Sequence, residues 1–213
     1  VVLMAHLDHV GARGNTIYFG ADDNASGSGT IMSTLPQLQE LQKAGKLNRS
    51  VIVLLTAAEE KGLVGSRYFI KHPLPGIPLS SIKACYNADM LGRWQLDRMS
   101  LGGGRKAGSL GDMVVKANES LGDRKFAVVN RDIDQYESSQ DGYNFTQAGI
   151  PTVFAFEGLS NPKGGGNLHE DYHQPTDTVD KIIRDNGGDK VRKFRDLTVE
   201  VARVASNAAT IFA

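Results

Sequence analysis

The sequence predicts an α/β fold with a largely parallel sheet covered by helices on both faces. Short apolar runs rich in β-branched residues end at polar residues, which is the pattern of buried strands. A segment with apolar residues every three to four positions separates the first two runs, so the order is strand, helix, strand. Strands that alternate with helices favour parallel pairing, and ligands bind beyond the carboxyl ends of such strands.

The strands and helices are predicted from the length and period of the apolar runs. Strands are expected at residues 1–5, 51–58, 82–88 and 150–156. An amphipathic helix is expected over 25–44, entered after Asp22-Asp23-Asn24. Further helices are expected over 108–121, over 141–148 with Gly149 as its end, and over 190–213 as the closing element.

Length and composition predict one domain over residues 1–213, without an interior linker. The chain opens inside an apparent strand without an initiator methionine, so we expect a mature fragment or an excised domain that lacks N-terminal elements. The 24 basic and 24 acidic residues give no basic field for nucleic acid. No apolar stretch reaches the length of a membrane span. The single cysteine, Cys85, is expected to be a buried thiol within a strand.

Five groups of metal-ligand side chains are spread along the chain, mostly after apolar runs. They are His6 with Asp8, Asp22 with Asp23, Glu59 with Glu60, Asp89, and the segment from His169 to His173. Imidazole and carboxylate ligands without cysteine suit catalytic zinc, with manganese or cobalt as replacements. Two neighbouring cations need several carboxylates, including one that bridges them, and the chain supplies these residue types.

Each group also has a purely structural explanation. The residues Asp22 and Asp23 could cap a helix, Glu59-Glu60 could open one, and Asp89 could be a turn residue. Each group taken singly fits either explanation, but the joint placement of the groups at successive element junctions favours a site. We interpret His9 and His72 as surface or supporting groups.

The segment 169–173 matches the H-E-x-x-H pattern, which in zincin metalloproteases places two histidines on one helix face. Here three glycines lie just upstream, and Pro175 favours an extended conformation for the residue before it. We therefore expect a loop in which only one of the two histidines binds metal directly.

The motifs resemble those of the two-zinc exopeptidases typified by secreted bacterial leucyl aminopeptidases, a family related to glutamate carboxypeptidase and glutaminyl cyclase. The matching segments, in order and over nearly the whole chain, are His6-Leu7-Asp8, 20–27, 57–66, 87–90 and 173–178. The resemblance implies a three-layer αβα sandwich with a mixed, mostly parallel sheet, a phosphorylase/hydrolase-like zinc peptidase fold. It also implies an aminopeptidase that acts on peptides, and it favours a secreted or periplasmic location.

The resemblance further implies a role for each matching residue. Two zinc ions, which manganese or cobalt could replace, would be held by His6, Asp23, Glu60, Asp89 and His173. Of these, Asp23 would bridge both ions. The general base would be Glu59, and Asp8 would orient His6 through its other ring nitrogen. The roles of His169 and Asp171 stay open.

The segment 136–145 departs from the family pattern. Relatives commonly carry a histidine where this chain has Gly142, and the tyrosine that assists some of them falls on Glu137, next to Tyr136. The alternative functions are a carboxypeptidase or dipeptidase of the same family, a glutaminyl cyclase, and a non-catalytic binding domain.

Overall fold

The computed structural model describes residues 1–103 and 107–212, and its main element is a six-stranded sheet. The strands in chain order are β1 (Val2–His6), β2 (Gly11–Arg13), β3 (Thr16–Tyr18), β4 (Ile52–Thr56), β5 (Cys85–Ala88), β6 (Arg98–Gly102), β7 (Val128–Asn130) and β8 (Thr152–Phe156). The sheet order is β4-β1-β5-β8-β6-β7, and β2 pairs with β3 as a separate hairpin. Only the β6–β8 pair of the sheet is antiparallel among these strands, so the predicted mixed, mostly parallel sheet is confirmed.

Helices cover both faces of this sheet. They are α1 (Gly27–Ser33), α2 (Leu35–Lys43), α3 (Val64–Lys71), α4 (Ser109–Ser120), α5 (Gly142–Gln147), α6 (Val179–Asn186) and α7 (Asp189–Asn207). Successive side chains of a strand point to opposite faces. In β1, Leu3 belongs to a core with α1, α4 and α7, whereas Met4 belongs to a core with α3 and α5. This alternation gives the three layers.

Two helix predictions are wrong in extent. The helix expected over 25–44 is two helices, because Pro36 has no N–H to continue the hydrogen-bond ladder and the Thr34 hydroxyl bonds back to the Ile31 carbonyl at 2.7 Å. The closing helix ends at Asn207, where Arg49 donates to the carbonyls of Ala205, Ser206 and Ala208. The residues after it are not helical through 212, and Ala213 lies outside the described residues.

Candidate metal centre

The carboxyl ends of three neighbouring parallel strands bring the first ligand candidates together. The last residue of β1 is His6, Asp89 directly follows β5, and Glu59-Glu60 lie in the turn after β4. Because β1 pairs with both β4 and β5 in parallel, these side chains meet at one edge of the sheet. The remaining two candidates, Asp23 and His173, reach this edge from the segment before α1 and from the loop before α6.

The Asp23 carboxylate lies between two ligand groups. Its Oδ1 is 3.2 Å from His6 Nε2, which is also 3.2 Å from Asp89 Oδ1. Its Oδ2 is 3.1 Å from His173 Nε2, which is also 2.9 Å from Glu60 Oε2. One carboxylate thus offers one oxygen to each group, which is the arrangement a bridging ligand needs.

The donor atoms fit zinc in spacing and chemistry. Ligand atoms about 2.0 Å from one tetrahedral cation lie roughly 3.3 Å apart, close to the separations in both groups. Burial opposes the charged imidazolium of His6, yet the carboxylates of Asp89 and Asp23 raise its pKa to about 12. Hydrogen bonds to Asp23 and Glu60 raise the pKa of His173 to about 10. The site therefore strongly favours positive charge between its carboxylates.

The orientation of His6 depends on Asp8, as the resemblance implies, but through a different atom. The acceptor for His6 Nδ1–H is the backbone carbonyl of Asp8, at 3.0 Å, while the Asp8 carboxylate lies 3.9 Å away. Since the carbonyl holds a proton on Nδ1, Nε2 is the nitrogen at which a bound cation would take the place of the second proton. The Asp8 carboxylate instead accepts a long 3.5 Å hydrogen bond from the Glu59 amide.

The Glu59 carboxyl faces a cavity beside the two ligand groups. Its side chain is buried, and burial together with the nearby Asp89 carboxylate raises its pKa to about 9. A carboxyl with this raised affinity for a proton is suited to accept one and return it. Its neighbour Glu60 points instead at His173, so the two adjacent acids have separate environments.

The same cavity has an apolar wall. Its lining residues are Asp23, Glu59, Asp89, Met90, Tyr136, Ser139, Phe154, Phe156, Leu168, Tyr172 and His173. Two tyrosines line the cavity, Tyr136 and Tyr172, and Tyr136 is adjacent to the position indicated by the family pattern. A charged rim with an apolar wall can hold a substrate that has one polar and one apolar end.

Comparison with known proteins matches residues 1–196 to peptidase family M28. The chain belongs to this family. It is 30% identical over 195 residues to a probable leucine aminopeptidase of Arthroderma otae, covering 85% of this chain and 48% of that protein. The chain thus spans about half the length of the curated relatives it matches.

Two solved structures share the fold. The aminopeptidase LapA of Legionella pneumophila superposes with a TM-score of 0.75 at 24% identity, over 97% of this chain and 52% of that one. The zinc aminopeptidase BSAP of Bacillus subtilis gives 0.71 at 21% identity, over 94% and 44%. The sequence-based recognition of the family and of its fold is confirmed.

The supporting position of His9 was only partly foreseen. Its side chain is 7% exposed, and Nδ1 lies 3.0 Å from Glu60 Oε1 and 3.7 Å from Asp23 Oδ2. The available signal is its place beside Asp8, just after the candidate ligand His6. The other histidine interpreted in this way, His72, is exposed and stacks on Tyr68.

The segment 169–173 is a turn rather than a helix, as expected. The imidazole of His173 faces Asp23 and Glu60, whereas His169 Nε2 lies 3.1 Å from Asp22 Oδ2. The two histidines therefore contact different carboxylates, and the zincin geometry of two histidines on one helix face does not occur here.

The glycine at the usual histidine position of the M28 pattern has a steric reason. A Cβ on Gly142 would lie 2.6 Å from Gln140 Oε1 and 2.8 Å from Thr152 Cγ2. That Gln140 oxygen accepts hydrogen bonds from the Gly142 amide and from Asn87 Nδ2, both at 2.7 Å. The glutamine side chain thus occupies the space beside residue 142.

Across the described residues, no helix is both long and apolar enough to cross a membrane.

Proposed function

We propose that this chain is the catalytic part of a two-zinc aminopeptidase that removes apolar residues from the amino termini of peptides. The observation that carries the proposal is the shared Asp23 carboxylate. One of its oxygens faces His6, which also contacts Asp89, and the other faces His173, which also contacts Glu60. Membership of family M28 and the relatives named as leucine aminopeptidases support it.

In this proposal, His6, Asp23 and Asp89 hold one zinc ion, and Asp23, Glu60 and His173 hold the other. When bound, the ions would polarise the scissile carbonyl and make a water molecule a better nucleophile. The carboxylate of Glu59 takes the proton of the attacking water and returns it to the leaving amine. The side chain of Tyr136 lines the cavity, and in this proposal its hydroxyl would donate a hydrogen bond to the developing oxyanion.

The substrate class follows from the two sides of the cavity. The carboxylate-rich side would hold a free terminal amino group, which favours chain ends over internal bonds. The apolar side, which includes Met90, Phe154 and Phe156, would hold the side chain of the first residue. We therefore expect leucine-like residues to be preferred over charged ones.

The test starts with amino-acid chromogenic amides and metal analysis of the purified protein. Activity should require a free amino group, disappear with a chelator and return with zinc, at two ions per chain. The Glu59→Gln variant should keep two zinc ions and lose roughly 10³-fold or more in kcat. As a matched control, Glu170→Gln should leave both quantities unchanged, because the Glu170 side chain is 70% exposed.

Other outcomes would identify the alternatives. Hydrolysis at free carboxyl ends or of dipeptides alone would indicate a carboxypeptidase or dipeptidase. Conversion of amino-terminal glutamine with one zinc ion would indicate a cyclase. If neither zinc binding nor turnover appears after zinc is added, a non-catalytic binding domain is the better explanation.

A further inference from the structure

A second group of acids and a histidine lies beside the candidate metal centre. The residues Asp22, Glu157 and His169 are all buried, and one ligand-type atom from each lies within 4.8 Å of the others. The Glu157 Oε1 atom is fully buried and has no hydrogen-bond partner among the described residues. By composition alone, this group could bind a third cation.

The hydrogen bonds of His169 argue against a cation there. Its Nδ1 accepts a 3.2 Å hydrogen bond from the Asp171 backbone N–H, and the Arg93 guanidinium, which can only donate, lies 3.5 Å away. A neutral imidazole that accepts at Nδ1 carries its proton on Nε2. That proton points at Asp22 Oδ2, 3.1 Å away, so Nε2 has no lone pair to offer a cation.

Each of the two carboxylates in this group already has one oxygen that accepts a hydrogen bond from a backbone amide. The Asp22 Oδ1 atom accepts a 2.7 Å hydrogen bond from the Gly92 amide. The Glu157 Oε2 atom accepts from the Arg93 amide, and the buried Lys190 ammonium donates to the Glu157 carbonyl at 2.7 Å. Protein donors thus reach three of the four carboxylate oxygens of this group, all except Glu157 Oε1.

The position of His169 in the chain gives this hydrogen bond a consequence. His169 lies four residues before the candidate ligand His173, and Asp177 lies four residues after His173. The Asp177 carboxylate accepts from the backbone N–H groups of Asp22 and Asp23 at 3.0 Å each. The loop that carries His173 is therefore attached on both sides to the segment that carries Asp23.

His173 needs such attachment, because its own side chain is 36% exposed. We propose that His169 is a positioning residue whose Nε2–H···Asp22 hydrogen bond sets His173 opposite Asp23 and so forms the second cation position. It is not a metal ligand. This inference rests on the proposed two-zinc function only for the identity of the ion.

The experiment uses two substitutions with opposite expectations. A glutamine amide can replace the Nε2–H donor but binds zinc weakly, whereas a glutamate carboxylate can bind zinc but cannot donate when ionised. We expect His169→Gln to bind two zinc ions with nearly wild-type affinities in a stepwise titration against a competing chelator. We expect His169→Glu to lose roughly 10- to 100-fold in affinity for one ion only, the range for lost supporting groups.

A third variant and a control separate positioning from general loss of fold. The His169→Leu variant should show the same selective loss of zinc affinity as His169→Glu, and its thermal unfolding is followed in parallel. The surface control His72→Leu should change neither the zinc affinities nor the unfolding temperature. Three zinc ions in the wild type, with one lost in His169→Gln and kept in His169→Glu, would overturn the proposal. Equal weakening of both ions in His169→Leu would overturn it as well.

The titration needs no substrate, so its result is separate from that of the activity test. Two ions bound by the wild type, with reduced affinity for only one of them in His169→Glu and His169→Leu, would support the positioning role even if the protein showed no aminopeptidase activity. A wild-type protein that binds no zinc would overturn both proposals.

Discussion

The histidines His6 and His169 have similar surroundings but opposite uses of their ring nitrogens. Each is buried with Nε2 about one hydrogen-bond length from an aspartate oxygen. The Nδ1 of His6 faces a backbone carbonyl, whereas the Nδ1 of His169 faces a backbone N–H. A single backbone group thus decides whether the other nitrogen is free for a cation or holds a proton. Ligand-type side chains alone do not define a metal site.

The two groups are built from adjacent residues of the same segments. Asp23 belongs to the candidate metal centre, whereas Asp22 belongs to the network around His169, which consists of Asp22, Glu157 and His169. His173 and His169 lie in one loop. At the end of β8, Phe156 lines the cavity and Glu157 belongs to the network. Substitutions of neighbouring residues should therefore have clearly different effects.

The largest difference is expected between Asp23→Asn and Asp22→Asn. The first removes the shared carboxylate, so zinc content should fall below two ions and kcat/KM by roughly 10³-fold or more, since metal ions contribute several kcal/mol to such reactions. The Asp22→Asn variant leaves the candidate ligands in place but loses one of two hydrogen bonds, to Gly92 or to His169. Its kcat/KM should therefore fall only about tenfold. Metal analysis and steady-state kinetics on both variants measure this.

Similar losses of zinc in both variants would contradict the comparison. They would mean that Asp22 contacts a cation directly, as its residue type alone would allow.

The sequence predicts the candidate metal centre better than the network, for a physical reason. The residues His6 and Asp89 lie at the carboxyl ends of strands, and parallel strands align these ends, so local sequence patterns predict that the two side chains meet. The role of His169 depends on the amide of Asp171 and on Asp22, which is far away in the chain. The tautomer of a histidine cannot be predicted from the periodicity of a sequence.

The fold, too, could be predicted from the sequence only where the local pattern is strong. The long apolar strands were predictable, but β6 begins with the buried Arg98 and β7 is only three residues long, so their patterns are weak. Their pairing with β8 and with each other depends on tertiary contacts. The break at Thr34 was predictable from Pro36, which has no N–H to donate to the carbonyl of Met32, four residues earlier.

A smaller effect, on stability rather than on metal content, is expected for Lys190→Met. The Lys190 ammonium is fully buried and donates to the carbonyls of Arg93 and Glu157 at 2.8 and 2.7 Å. Its removal leaves buried carbonyls and acids without compensation, so the free energy of unfolding should fall by about 3–5 kcal/mol. Denaturant unfolding measures this, and zinc stoichiometry should stay at two.

The matched control is Lys43→Met on α2, where an exposed lysine pairs with Glu40 at 2.8 Å. Exposed pairs contribute about 0–1 kcal/mol, so little change is expected. If Lys190→Met were equally mild while lowering the zinc content, the network would belong to the metal centre.

The smallest effect should be a change of selectivity in Phe156→Leu. The ring of Phe156 lines the cavity, so the smaller side chain should leave room for a larger first residue. The ratio of kcat/KM for phenylalanyl over leucyl amides should rise up to about tenfold, the low end of what small volume changes in an apolar pocket produce. The control Phe69→Leu makes the same change in the core that α3 and α5 form against the sheet, outside the residues that line the cavity, where Phe69 stacks on Phe145. That variant should lose stability and keep its selectivity. If the ratio moved in the control and stayed fixed in Phe156→Leu, the first residue of the substrate would have to bind outside this cavity.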